Sequence, residues 1–211
     1  MSKKIYLFST TSHPETKHIN SLDTKFFTPE IDFSLYDSLI ITSKQVIRAL
    51  EQYEKEKYIN KAALCVSMQT AKSFENIGGT VLKTGSGYGE NLGNLITKFP
   101  KEMKWLYLRA KNIASDFVTQ TKELGYDIDE VIVYETFCSK SILKTEVEND
   151  AVLIFTSPSS VECFLKNNKI KDTQKIVVIG KTTAKALPKN SNFVISAETT
   201  IDSCVKIAKT L

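Results

Sequence analysis

Short runs of apolar residues alternate with stretches of helical period from one end of this chain to the other. Lys4-Ile5-Tyr6-Leu7-Phe8-Ser9-Thr10 and Lys104-Trp105-Leu106-Tyr107-Leu108-Arg109 read as buried strands. After the second, Ile113, Ala114, Phe117, Val118 and Leu124 fall at helical spacing, Gly125 supplies a stop, and Glu130-Val131-Ile132-Val133-Tyr134 is the next strand. The matching stretch near the N-terminus is poorer. Residues 11–24 contain Pro14 and few apolar positions, which predicts a short or irregular helix, and the strand expected after it, Lys25 to Ile31, is interrupted by Pro29.

The pattern then repeats. Leu39-Ile40-Ile41-Thr42-Ser43 returns as Leu153-Ile154-Phe155-Thr156-Ser157, and Thr70-Ala71-Lys72-Ser73-Phe74 returns as Thr183-Ala184-Lys185-Ala186-Leu187, at offsets of 114 residues (Thr42 to Thr156) and 113 residues (Thr70 to Thr183). Two matches in one register indicate a duplicated α/β unit. In each copy a strand ends in Thr-Ser and a helix follows; in the second, Ser159 and Glu162 have capping-box spacing, ahead of an apolar face of Val161, Phe164 and Leu165. A further strand, Ala63 to Val66 or Lys175 to Ile179, runs into Ser67-Met68-Gln69-Thr70 or Gly180-Lys181-Thr182-Thr183. Amphipathic helices close the copies, through Leu92, Leu95 and Ile96 and through Ile201, Cys204, Val205 and Ala208. The alternation predicts parallel sheets with right-handed crossovers, and ligands then sit beyond the C-terminal strand edges. Two similar units on one chain naturally enclose a ligand cleft between them.

A chain of 211 residues with 42% apolar content supports two cores of moderate size. Cys65, Cys138, Cys163 and Cys204 never form a Cys-x-x-Cys pair, which argues against a zinc site or a disulfide framework and predicts reduced, buried thiols. No apolar stretch is long enough to span a bilayer, so the expected location is the cytoplasm. The net charge of +4 is spread over scattered lysines, a weak match to nucleic acid and a better one to a small polyanion.

Few residues offer chemistry. Ser43, Thr70, Ser157 and Thr183 lie at helix starts on strand edges, where hydroxyls and backbone N–H groups together bind carboxylate or phosphate oxygens; helix capping is their structural alternative. Gly85-Ser86-Gly87-Tyr88-Gly89 lacks the spacing and position of a dinucleotide loop and reads as a flexible loop ahead of a helix. His13 and His18 are the only histidines, and both fall in the irregular segment after the first strand, so a histidine acid or base has little support. Tyr134, a phenol ending a strand, is the best candidate acid, with interdomain packing as its alternative. No metal-ligand spacing occurs.

Ile154-Phe155-Thr156-Ser157-Pro158-Ser159-Ser160-Val161, Val178-Ile179-Gly180-Lys181-Thr182-Thr183-Ala184-Lys185-Ala186-Leu187 and Val131-Ile132-Val133-Tyr134-Glu135-Thr136 together resemble uroporphyrinogen-III synthase, a likeness that runs over essentially the whole chain. The resemblance implies two parallel-sheet α/β domains joined by a two-stranded linker. Residues 1–30 and 138–211 would form one domain, residues 36–134 the other, with linkers at about 27–35 and 134–138. It also implies a monomer that needs no cofactor or metal and converts hydroxymethylbilane, a linear tetrapyrrole octacarboxylate, to uroporphyrinogen III, losing water and inverting ring D. By motif matching, Tyr134 assists hydroxyl departure, Thr70, Thr183 and Ser157 are polar substrate contacts, and Ser43, Thr182 and Lys181 are further ones. The chain departs from the family pattern at Thr11-Ser12-His13-Pro14, where Arg-Pro is frequent. A two-lobed binding protein for a small polyanionic ligand, without catalysis, is the rival reading; a nucleotide-dependent Rossmann enzyme is weaker for want of its glycine fingerprint.

Overall fold

The computed structural model describes residues 3–87, 89–113 and 115–211, the side chain of Glu90 excepted; Tyr88 of the glycine loop and Ala114 of the expected helical stripe lie outside the described residues. In chain order the elements are β1 (Ile5–Ser9), β2 (Lys17–Asn20), β3 (Leu22–Phe26), a 3-10 turn (Phe33–Leu35), β4 (Ser38–Ile41), α1 (Lys44–Leu50), α2 (Lys55–Tyr58), β5 (Ala62–Cys65), α3 (Met68–Asn76), β6 (Val81–Thr84) and α4 (Glu90–Ile96). There follow β7 (Lys104–Ala110), α5 (Phe117–Glu123), β8 (Asp127–Cys138), α6 (Lys140–Leu143), β9 (Val152–Phe155), α7 (Pro158–Leu165), β10 (Lys175–Val178), α8 (Lys181–Ala184), β11 (Phe193–Ile195) and α9 (Ile201–Ala208). The chain divides into two compact units, one of residues up to Asp23 with Phe137–Leu211, the other of Thr24–Thr136.

The discontinuous unit carries a sheet of order β11-β10-β9-β1-β2, parallel throughout. Strand alternation sends Tyr6, Phe8, Leu153, Phe155, Ile176 and Val178 to one face, under Val161 and Phe164 of α7, and Leu7, Val152, Ile154 and Val177 to the other, under Cys204, Val205 and Ala208 of α9. Each such large side chain taken out of water contributes about 1.5–3 kcal/mol. With both faces covered, the strands lose the polar alternation of a half-exposed sheet.

The continuous unit carries the order β3-β8-β7-β4-β5-β6, with β8-β7-β4-β5-β6 parallel. Leu39, Ile41, Leu106 and Leu108 face Val46, Ile47, Ala71 and Phe74 of α1 and α3; Ile40, Leu64, Trp105 and Tyr107 face Leu92, Ile96, Phe117 and Val118 of α4 and α5. Gly79 is dictated by packing, since a Cβ there would lie 2.4 Å from the Phe74 ring. At the edge, the Phe27 N–H donates to the Val133 carbonyl (2.9 Å) and the Ser139 N–H to the Ser21 carbonyl (3.1 Å), so the numbering rises on β8 as it falls on β3 and the pair is antiparallel.

Several local expectations are corrected. No helix forms between β1 and β2, and the strand expected at Lys25 to Ile31 is instead β2 and β3, ending at Phe26; Pro29, with no N–H to donate, lies beyond it. The helix expected from Ile113 to Leu124 is α5 alone, and Ile113 (38%) and Leu124 (56%) are exposed. The capping box of α7 is made by Ser157 and Ser160, two residues ahead of Ser159 and Glu162, because Pro158 occupies the first helical position. Tyr134 lies inside β8, which continues to Cys138. Cys138 and Cys163 are joined in a disulfide, with Cα atoms 5.3 Å apart, whereas Cys65 and Cys204 are buried free thiols; residues distant in sequence meet because α7 packs beside the end of β8. Among the described residues no helix is long and apolar enough to cross a membrane.

Candidate active site

In the continuous unit the chain builds β4, β5 and β6 outward in one direction, then returns to place β7 and β8 on the other side of β4. Connections leave β4 and β7 in opposite directions, and a crevice opens beyond their C-terminal ends, the usual ligand position in such sheets. A cavity of about 300 Å³ lies there, lined among others by Thr42 after β4, Tyr107 of β7, Asn112 and Ser115 after β7, Tyr134 of β8, and Gly87 and Gly89. That volume is at the lower end for a small-molecule site.

Tyr134 reaches the cavity through an irregularity in β8. Arg109 of β7 registers with Ile132 and Ala110 with Tyr134, so Val133 is an extra residue. Strict alternation would put Tyr134 on the same face as Ile132, which is exposed; the bulge turns it to the side of Val133, where it is 6% exposed. Its carbonyl accepts the Lys111 N–H at 2.8 Å, which fixes the strand at this height. Burial raises the phenol above its ordinary pKa, an effect that the Ser43 side chain partly offsets. The hydroxyl is therefore a proton-bearing donor at neutral pH.

A second phenol shares the cavity. The Tyr107 and Thr42 hydroxyls are 3.3 Å apart, and burial raises the Tyr107 pKa as well, with Thr42 opposing the rise and Tyr134 adding to it. The glycine loop forms one wall. It folds back on the end of β5 through Gly85 N–H to Cys65 O and Gly87 N–H to Val66 O, both 2.8 Å. A Cβ at Gly85 would lie 2.9 Å from the Val66 carbonyl oxygen, and Gly87 has φ +99°, so both positions favour glycine.

Of the residues singled out from sequence, Tyr134 and Ser43 are brought together, and Ser43 also caps α1 by accepting the Gln45 N–H at 3.1 Å. Thr70 is 4% exposed beside Ser67, whose hydroxyl is 3.1 Å from its own and accepts its N–H at 3.3 Å, so it stands in a cap cluster at the end of β5. In the other unit Ser157 caps α7 by accepting the Ser160 N–H at 3.1 Å, Thr183 is 3% exposed, and Lys181 and Thr182 open α8 with exposed side chains. The histidines are engaged within that unit, His13 with Asp202 (3.1 Å) and His18 with the Ser9 carbonyl (2.9 Å). Around Tyr134 the cations are paired, Arg109 with Glu130 (2.8 Å) and Lys111 with Glu135 (3.0 Å). Sequence reasoning passed over Thr42, Tyr107, Asn112 and Ser115. Thr42 carried a signal, as part of the repeated Thr-Ser turn; Tyr107 carried none, because its place in an apolar run marks it only as core.

The family model described as uroporphyrinogen-III synthase HemD matches residues 13–206. The chain belongs to the uroporphyrinogen-III synthase family. Members of this family are cyclising lyases of haem biosynthesis. Among solved structures, the fold of this family member is similar to uroporphyrinogen-III synthetase from Helicobacter pylori, at TM-score 0.83 and 24% identity over 99% of each chain. It is also similar to a mutant uroporphyrinogen III synthase from the extremely thermophilic bacterium Thermus thermophilus, at TM-score 0.56 and 16% identity over 92% of this chain and 87% of that one. A search of curated proteins returns no match. The two likenesses support the α/β fold with two largely parallel sheets.

Proposed function

We propose that this synthase cyclises hydroxymethylbilane to uroporphyrinogen III. The observation that carries the site assignment is a buried, protonated phenol, Tyr134, aimed by a β-bulge into a cavity at the strand switch point. The cavity is too small for a linear tetrapyrrole and suited to one ring with its side chains. Tyr134 donates its proton as the hydroxymethyl C–O bond breaks and water leaves, while the lone pair of the adjacent pyrrole nitrogen supplies the electrons and leaves an azafulvene. The substituted carbon of ring D attacks the azafulvene carbon, the spirocyclic intermediate rearranges, and the proton lost when ring D regains aromaticity returns to the phenolate. Atoms and charge then balance, with water as the sole by-product.

Because the pyrrole nitrogen drives departure, the protein's larger task is to hold ring D so that attack occurs at the substituted carbon. Tyr134, Ser43, Thr70, Ser157, Lys181, Thr182 and Thr183 serve as substrate-binding groups, through hydroxyls and helix-start N–H groups that suit the eight carboxylates. The chain passes between the two units within β3 and β8. The enzyme works as a cytoplasmic monomer, without metal or cofactor. The test is a coupled assay in which a deaminase generates hydroxymethylbilane, the protein is added, and the oxidised uroporphyrin isomers are separated. Isomer III in excess of isomer I supports the reading, and isomer I at the level of the protein-free control overturns it.

A further inference from the structure

Tyr107 is a buried polar group of the cavity that neither the fold nor the role of Tyr134 accounts for. It lies in the middle of β7, 3% exposed, with its ring 5.1 Å from that of Phe117 between centroids and its hydroxyl 3.3 Å from that of Thr42. The duplication supplies an internal control. Ile40 pairs with Tyr107 in one sheet, and its repeat partner Ile154 pairs with Leu7 in the other, so Leu7 holds the equivalent place and is fully buried. This core position therefore accepts a side chain without any hydroxyl. The threonines diverge in step: Thr156 donates its hydroxyl hydrogen bond to the Phe8 carbonyl at 3.1 Å, whereas Thr42 meets a phenol that lines the cavity. Burying a phenol where an alkyl group suffices is unfavourable unless its hydroxyl is hydrogen-bonded. Among the described residues that hydroxyl has one hydrogen-bond contact, the long one with Thr42, and with Thr42 as the donor it keeps its own hydrogen for the cavity.

We propose that Tyr107, oriented by Thr42, donates a hydrogen bond to a side-chain carboxylate of the ring lodged beside Tyr134 and so sets which carbon of that ring faces the reacting methylene. The inference rests on the proposed synthase activity and adds to it a determinant of isomer fidelity distinct from the group that assists water loss. A donor on β7 that holds a carboxylate at the periphery of a planar ring, together with the cavity walls, fixes that ring against rotation in its own plane, while Tyr134 on β8 acts on the hydroxyl carried by the ring it attacks.

The experiment is the isomer assay run at rising enzyme concentration with the wild type, Tyr107→Phe and Thr42→Val. Phenylalanine preserves the packing on Phe117, and Thr42→Val leaves the phenol in place, so at least one variant retains the fold. A variant that is only slower loses substrate to spontaneous closure, and its isomer I vanishes as enzyme is raised. A variant that misplaces the ring makes isomer I on the enzyme, and that fraction persists. Loss of a hydrogen bond to a carboxylate lowers the III to I ratio of Tyr107→Phe by roughly 10-fold or more at saturating enzyme. Thr42→Val moves the ratio the same way by less, and the double variant goes no further than Tyr107→Phe. Pure isomer III from folded Tyr107→Phe at high enzyme, or an unshifted ratio in Thr42→Val, overturns the inference while leaving the synthase reading intact. A wild type that forms no isomer III overturns both.

Discussion

Replacing Tyr134 by phenylalanine isolates the hydroxyl to which water loss is assigned. The ring packs in a core with Leu106, Leu108 and Val133, and phenylalanine keeps those contacts. Ser43, the partner left behind, is only partly buried and still accepts the Gln45 N–H, so the change in folding stability is under about 1 kcal/mol. In the transition state a neutral donor to the departing oxygen contributes about 0.5–1.5 kcal/mol, roughly a 2- to 13-fold effect on kcat. Full proton transfer concerted with bond breaking would raise it to about 100-fold. The push from the pyrrole nitrogen favours the lower part of that range. Because burial holds the Tyr134 pKa above its ordinary value, the wild-type to variant ratio stays constant from neutrality to about pH 9. The assay is the initial rate of isomer III formation at saturating hydroxymethylbilane across that pH range, with urea midpoints measured in parallel. An unchanged kcat removes Tyr134 from the chemistry. A lower kcat accompanied by an equal loss of stability makes it structural.

Two further predictions concern stability. Cys138 and Cys163, 25 residues apart, close a loop whose cross-link is worth about 3.5 kcal/mol in the chain-entropy model, so Cys138→Ser lowers the urea midpoint of oxidised protein and has little effect once dithiothreitol is present; equal midpoints without reductant would refute it. Burial raises the pKa of Tyr107 and Tyr134, so the stability their protonated forms contribute is complete below about pH 10, the value of an unfolded phenol, and is lost as pH rises beyond it, by at most about 1.4 kcal/mol per pH unit for each group. Urea titrations at about pH 8 and above about pH 10 check this, and replacing Tyr107 by phenylalanine should flatten the decline.

The alternation of apolar runs and helical stripes determined the element types, because solvent exposure and helix propensity act over neighbouring residues. It also marked the Thr-Ser turns and the duplication, which are local strings that survive in the chain. Those signals reached Ser43, Ser157 and Tyr134. They did not reach Tyr107, because a tyrosine in the middle of a buried strand looks the same whether its hydroxyl meets the core or a cavity. Nor did they locate the aim of Tyr134, which depends on one extra residue in β8 relative to β7, a property of strand register.

The repeat pattern by itself left open which strands share a sheet, and the tertiary structure decided it. The repeat is tandem in sequence, yet β1 and β2 join β9 to β11, and β4 to β6 join β7 and β8. Either a tandem or an exchanged arrangement satisfies the same local pattern, since every strand buries the same faces in both; the choice rests on backbone pairing between segments far apart in the chain, such as Ile5 with Val152. The same long-range packing brought Cys138 to Cys163 against the expectation of free thiols. It also placed Leu7 and Tyr107 at equivalent positions in the two sheets, which is why the phenol stands out as a group the core does not require.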